Sequence, residues 1–290
     1  MAPDRLRRIG GAALAALTLA LAWTGAGASA PGDGNGGAPW VVATYAYPQR
    51  DRAAAVQPLA DYLARRSGHA VQVRILPSPT ALVEALRAGE VDVAVPNLHG
   101  YLQARAGEGA IVALPVPDVP PVQADRYRAV LVARDGATTL ADLPERARDL
   151  RLALVGADSA SGGFVPMAAL RDLGLDPRTG FAALDYAGSH AAALQAVAEG
   201  RADVAALAAD VYDAAPPEGV HELWRSGPIP PGPLLCRASA AVDCGQVAGW
   251  LLQAHSQAPA VMAALRAGWP EFGDATAFTV APPLQDLAID

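Results

Sequence analysis

The chain has 290 residues, a net charge of −7, 52% hydrophobic residues and two cysteines. This size accommodates one large or two medium domains, and the hydrophobic fraction is too high for a disordered segment. The negative balance, with no basic cluster after the N-terminus, argues against a nucleic-acid partner. Two cysteines with no histidine at ligand spacing do not make a zinc site, so neither metal nor cofactor is expected.

The N-terminus is laid out like a secretory signal. Arg5, Arg7 and Arg8 precede an apolar run from Ala12 to Trp23, shorter than the ~20 residues that span a bilayer, and small residues follow to Ala30. Residues 1–30 are therefore expected to send the chain to the periplasm, with cleavage after Ala28 or Ala30. The glycine-rich residues 31–38 are expected to form a flexible linker.

Strand and helix patterns then alternate. Residues 40–44 predict a strand, followed by a loop carrying Tyr45 and Tyr47. Residues 53–67 predict a helix with Val56, Leu59, Ala60 and Leu63 on one face and Gly68 as its stop. A strand at 71–76, a helix at 80–88 and a strand at 91–95 complete a βαβαβ pattern, the signature of a parallel sheet with covering helices. Beyond a proline-rich stretch at 115–121, strands are predicted at 127–133 and 152–155 and a capped helical turn at 139–143. A helix at 166–173, an apolar stretch at 181–186, a helix at 191–198 and a strand at 202–207 follow. Residues 229–233 read as a rigid crossover, leading to a strand at 234–237 and helices at 247–257 and 260–267. Cys236 and Cys244 suit a local disulfide in an exported chain, the alternative being two buried thiols.

Two segments share a pattern. Residues 82–94 and 193–205 each give an amphipathic helix, a glycine stop (Gly89, Gly200) and an Asp-Val-Ala start to a strand (Asp92, Asp203). They read as equivalent units in two similar lobes.

The run Asp158-Ser159-Ala160-Ser161-Gly162-Gly163-Phe164-Val165-Pro166 lies between a strand and a helix. A helix start carries unpaired amides and about half a positive charge, and small residues let an anion approach. An ordinary N-cap is the plainer reading of the same residues.

Four features together resemble the periplasmic substrate-binding proteins of phosphate/phosphite/phosphonate ABC transporters, the PhnD-like family. They are Asp158 with Ser161, Gly162 and Pro166; Gly188-Ser189-His190; the pair Asp92 and Asp203; and Arg225-Ser226 with Ile229-Pro230. The resemblance covers roughly residues 40–270. It implies an α/β type II periplasmic binding protein of two lobes, each a mainly parallel sheet with flanking helices. Residues 39–124 and 231–290 would form lobe 1 and residues 125–230 lobe 2. It further implies a monomer without catalytic activity that passes a small oxyanion from an interlobe cleft to an ABC transporter permease.

The same resemblance assigns the oxyanion to Ser159 and Ser161, the amides of Ser161 and Gly162, and His190. Tyr101, Tyr45 and Tyr47 would line the cleft, and Asp210 would meet an amine. Ala160 stands where the family has a threonine, and Asn97 and His99 are candidate replacement donors. Two alternatives remain open. One is a ligand-sensing module for a separate signalling partner. The other is a hydrolase with Ser161, His190 and Asp210 as a triad, although the Gly-x-Ser-x-Gly elbow is absent.

Overall fold

Strand β1 (Trp40–Tyr45) alternates little in burial, as a strand covered on both faces should. It is the middle of a parallel trio in a computed structural model that describes residues 38–48, 50–106, 110–120, 122 and 126–283. The expected signal segment 1–30 and linker residues 31–37 lie outside these. β1 pairs in parallel with β2 (Val71–Leu76) and β3 (Val93–Ala94). The sheet order β2-β1-β3-β11-β4 is completed by β4 (Ile111–Ala113) and β11 (Leu235–Arg237). The helix Arg52–Ser67 joins β1 to β2. Its start is capped by Asp51, whose Oδ1 accepts from the Ala54 amide at 2.9 Å. Packed with Trp40 and Val42 of β1, the side chains of Leu59, Leu63, Leu251, Trp269 and Phe272 are fully buried together.

The second sheet runs β10-β6-β9-β7-β8. Its strands are β6 (Ala129–Arg134), β7 (Arg151–Leu154), β8 (Ala183–Tyr186), β9 (Val204–Ala208) and β10 (Val220–Arg225). β7 is parallel to β8 and β9, while β6 is antiparallel to β9 and β10. A small antiparallel pair, β5 (Val116–Pro117) with β12 (Phe278–Thr279), lies outside both sheets. Where the chain crosses between the sheets, its two passes are hydrogen-bonded to each other. Ser226 N–H donates to Ala129 O at 2.9 Å and Ile229 N–H to Tyr127 O at 2.8 Å.

The repeated sequence unit is a repeated structure: β2-β1-β3 and β8-β7-β9 have the same order and direction. Gly89 and Gly200 each leave their helix with positive φ (77° and 70°). The aspartates then do the same work in both sheets. Asp92 Oδ2 accepts from the Val41 amide at 2.8 Å, and Asp203 Oδ2 accepts from the Arg151 amide at 3.0 Å, each tying down the start of the central parallel strand. Asp203 is also paired with Arg151 and Arg134, which hold its carboxyl well below the usual range.

Several expectations are refined. In each sheet two of the four strand pairings are antiparallel, because β11 and β6 are the strands on which the chain arrives from the other sheet. The expected capped turn at 139–143 is a turn closed by Thr139, whose hydroxyl bonds to Asp142 Oδ2 at 2.7 Å, and the helix Leu143–Arg146 follows it without a side-chain cap. The helix Leu98–Arg105 and strand β10 were not apparent in the sequence pattern. Cys236 and Cys244 are joined by a disulfide with a Cα–Cα distance of 5.8 Å, linking β11 to the start of the helix Cys244–Gln257. Among the described residues no helix is long and apolar enough to cross a membrane.

Candidate functional site

A cavity of about 300 Å³ lies between the carboxyl ends of β1 and β7, lined from both lobes. Ligands of open α/β sheets bind at such strand ends. Tyr45, Tyr47, Arg52, Ser78, Asn97 and Glu271 come from the lobe 1 side. Asp158, Ser159, Ala160, His190 and Asp210 come from the lobe 2 side.

The turn after β7 is built by close packing. Val155 N–H donates to Gly162 O at 2.8 Å, folding the turn back on the strand. Residues Ala160–Phe164 form a π-helical turn, with Phe164 N–H bonded to Ser159 O at 2.7 Å, before the α-helix Val165–Asp172 begins. A Cβ on Gly162 would stand 2.2 Å from Val155 Cγ2, and one on Gly163 would stand 2.0 Å from Gly156 O. Both glycines are therefore required by the approach of helix to strand. Ser159 Oγ accepts from the Gly162 amide at 3.1 Å, so Ser159 is the N-cap and the Gly162 amide is already used. Ser161 is fully buried, and its hydroxyl lies 2.8 Å from Tyr127 Oη. Ser161 and Gly162 support the cleft wall without forming its surface.

His190 opens the helix His190–Ala198, capped by Ser189. Its Nδ1 accepts from the Ala208 amide at 3.0 Å. The proton of the neutral ring is consequently on Nε2, and the ring offers the cleft a donor. Burial, reinforced by Arg52 and Arg50, lowers its pKa to about 4, so the ring is neutral at physiological pH.

The facing wall is aromatic. Tyr45 is buried and Tyr47 half-buried; burial pushes both phenols up to about 12, so both stay protonated donors. Burial raises the Tyr127 hydroxyl well above its usual range as well. The Arg52 guanidinium carbon lies over the rings of Tyr45 (4.1 Å), Tyr47 (4.8 Å) and Trp269 (4.6 Å). Glu271 lines the same wall, and burial raises its carboxyl pKa against the opposing influence of Arg52.

The lobes also touch directly beside the cavity. Asn97 Nδ2 donates to Asp158 O at 2.9 Å, and the Thr80 hydroxyl and amide reach Asp158 Oδ2 at 3.2 and 3.3 Å. His99 packs against Phe164 with ring centroids 4.7 Å apart.

Of the residues predicted from sequence, Ser159, His190, Tyr45, Tyr47, Asn97 and Asp210 line the cavity. Tyr101 does not. It sits in the lobe 1 core, 2% exposed, because the helix Leu98–Arg105 turns Leu98, Tyr101 and Ala104 inward together. Asn97 lines the cavity with one amide N–H given to Asp158 O and its Oδ1 accepting from the Gly100 amide, whereas His99, packed on Phe164, is not among the cavity-lining residues. Ser161, His190 and Asp210 do not form a relay: the serine bonds to Tyr127, and the histidine nitrogen that a carboxylate would orient accepts the Ala208 amide. Among the described residues no cluster of His, Cys, Asp or Glu is placed to hold a metal.

Arg52, Glu271 and Tyr127 were not singled out from the sequence. Arg52 had a signal: it precedes Ala55, Val56, Leu59, Ala60 and Leu63 on the apolar face of its helix, where a charge is out of place.

Comparison with solved structures gives the same architecture. XAC2383 from Xanthomonas citri, solved with chloride, aligns with a TM-score of 0.68 at 23% identity, covering 86% of this chain and 95% of its own. PhnD1 from Prochlorococcus marinus, in complex with methylphosphonate, aligns at 0.64 with 15% identity, covering 86% and 97%. A binding protein component of an ABC phosphonate transporter from Pseudomonas aeruginosa aligns at 0.63 with 18% identity, covering 84% and 82%. At these identities the likeness establishes the two-lobed fold. No curated relative matches the sequence. A family model described as "ABC transporter, phosphonate, periplasmic substrate-binding protein" matches residues 41–277. With the cleft residues and most of the chain inside that match, the chain belongs to the family of periplasmic substrate-binding proteins of phosphonate ABC transporters.

Proposed function

We propose that this protein captures phosphate, phosphite or a phosphonate in the interlobe cleft and delivers it, as a monomer, to an ABC transporter permease. The family is non-enzymatic, its members being periplasmic partners of a membrane transporter for phosphonate-like substrates. The observation that carries the reading is the protonation pattern of the cleft. His190 is held as an Nε2–H donor, and Tyr45 and Tyr47 keep their protons. Such a wall offers hydrogen bonds to an oxyanion without needing a change of charge.

Ser159, at the helix start, and Asn97, from the other lobe, border the same space, and Asp210 at its exposed rim meets an amine substituent where the ligand has one. The lobes, residues 39–124 with 231–290 and residues 125–230, close on the ligand by bending near the paired crossovers at Tyr127 and Ile229. A leader at residues 1–30 brings the chain to the periplasm.

Thermal unfolding with phosphate, phosphite, methylphosphonate and 2-aminoethylphosphonate tests the proposal. A ligand present at ~1,000 times its Kd stabilises by about 4 kcal/mol, a shift of several degrees. No shift with any of the four at ~1 mM sinks the phosphorus-oxyanion reading.

A further inference from the structure

The oxyanion reading leaves Arg52 unused. This residue is 4% exposed and lines the cleft. A guanidinium so deeply placed is costly unless something pairs with it. Arg134, Arg151 and Arg225, with side chains 49%, 41% and 31% exposed, each hold a carboxylate. Arg52, far more buried, forms no ion pair among the described residues. Its charge is met instead by the three rings of Tyr45, Tyr47 and Trp269. Rings stabilise a cation through their faces and leave its N–H donors available. Nε donates to Gly268 O at 3.1 Å, which fixes the orientation of the group, and Nη1 is buried with no hydrogen-bond partner among the described residues. Glu271 shares the wall, but burial raises its pKa and weakens it as a counterion.

Tyr47 links this group to the opposite lobe. Its ring centroid is 4.8 Å from the Arg52 guanidinium carbon and 6.2 Å from the His190 ring. We infer that Arg52 is the charged anchor of the ligand, so that a formally anionic oxyanion is held between the Arg52 guanidinium of one lobe and the His190 Nε2–H of the other. The inference rests on the oxyanion reading and narrows it. The site selects for net negative charge, whereas a site of neutral donors alone would accept polar uncharged ligands. Arg52 also favours closure, because the anion it holds is completed only from the second lobe.

Isothermal titration of wild type, Arg52→Gln and Arg52→Lys with the same four anions tests this. Arg52→Gln is expected to lose about 30-fold or more in affinity for every anion the wild type binds, the range a charge-assisted hydrogen bond commands. Arg52→Lys is expected to lose about tenfold, because an ammonium keeps the charge without the planar donor edge. Wild-type affinity should fall with added salt more steeply than that of the Gln variant. An Arg52→Gln protein that binds within ~3-fold of wild type overturns the assignment and leaves the oxyanion reading standing. A wild type that binds none of the four overturns both. If circular dichroism shows Arg52→Gln unfolded, the lysine variant decides: weakened binding at an unchanged melting temperature supports the anchor, and unchanged affinity overturns it.

Discussion

The amide of Ala208 donates to Nδ1 of His190 across 3.0 Å, and this one bond settles which tautomer faces the cleft. It also gives the histidine two roles that mutation separates. His190→Ala should weaken oxyanion binding about tenfold to a hundredfold, through loss of the Nε2–H donor. The same change strands a buried amide and should lower stability by about 1–3 kcal/mol. Titration calorimetry and urea denaturation read the two effects independently. A stability loss with unaltered affinity would confine His190 to the scaffold.

The depressed basicity of His190 sets a pH dependence. The unfolded chain takes up a proton near pH 6.5, the native ring only near pH 4. Over that interval the unfolded state binds more protons, so stability falls as pH falls. The buried ring accounts for about 3 kcal/mol across the interval. Urea midpoints at pH 7, 5 and 4 should decline in the wild type and decline less in His190→Ala. Parallel slopes in the two proteins would show that His190 is not the titrating group.

Ser161 and Tyr127 should behave as a unit. Each is the other's hydrogen-bond partner in a buried setting. Ser161→Ala and Tyr127→Phe should each cost about 1–3 kcal/mol, and the double variant clearly less than their sum. Additivity within ~0.3 kcal/mol would mean that the bond contributes nothing to stability.

The disulfide gives a fourth test. Closing the short loop between Cys236 and Cys244 is worth about 2–3 kcal/mol in chain entropy. Reduction, or Cys244→Ala, should therefore lower the melting temperature by roughly 4–12 °C. Equal melting curves with and without reductant would contradict this.

Much of the fold was legible because its elements are periodic. The face Val56, Leu59, Ala60 and Leu63, and the repeated helix-glycine-aspartate unit, lead directly to the two sets of parallel strands. Strand β10 was illegible because its pairing with β6 slips between Glu222 and Trp224, which spoils the two-residue alternation. In the helix Leu98–Arg105, His99 and Gly100 in the first turn obscure the period that buries Leu98, Tyr101 and Ala104.

The cleft divided along similar lines. Ser159 and His190 sit at helix starts, which sequence marks with caps and glycines. Glu271 reaches the cleft on the return segment, and nothing local in Trp269-Pro270-Glu271 announces that Arg52 and Tyr45 will be there. Tyr127 similarly acquires its meaning from a serine in another element.

The absence of room at positions 162 and 163 bears on which substitutions this loop can take. Ser159 and Ala160 border the cleft, so a change of side chain there alters what a ligand meets. The two glycines have no such freedom, since the first side-chain carbon at either would drive the helix off its strand. The chemistry offered to a ligand and the seat that holds it are therefore carried by different residues of one short loop.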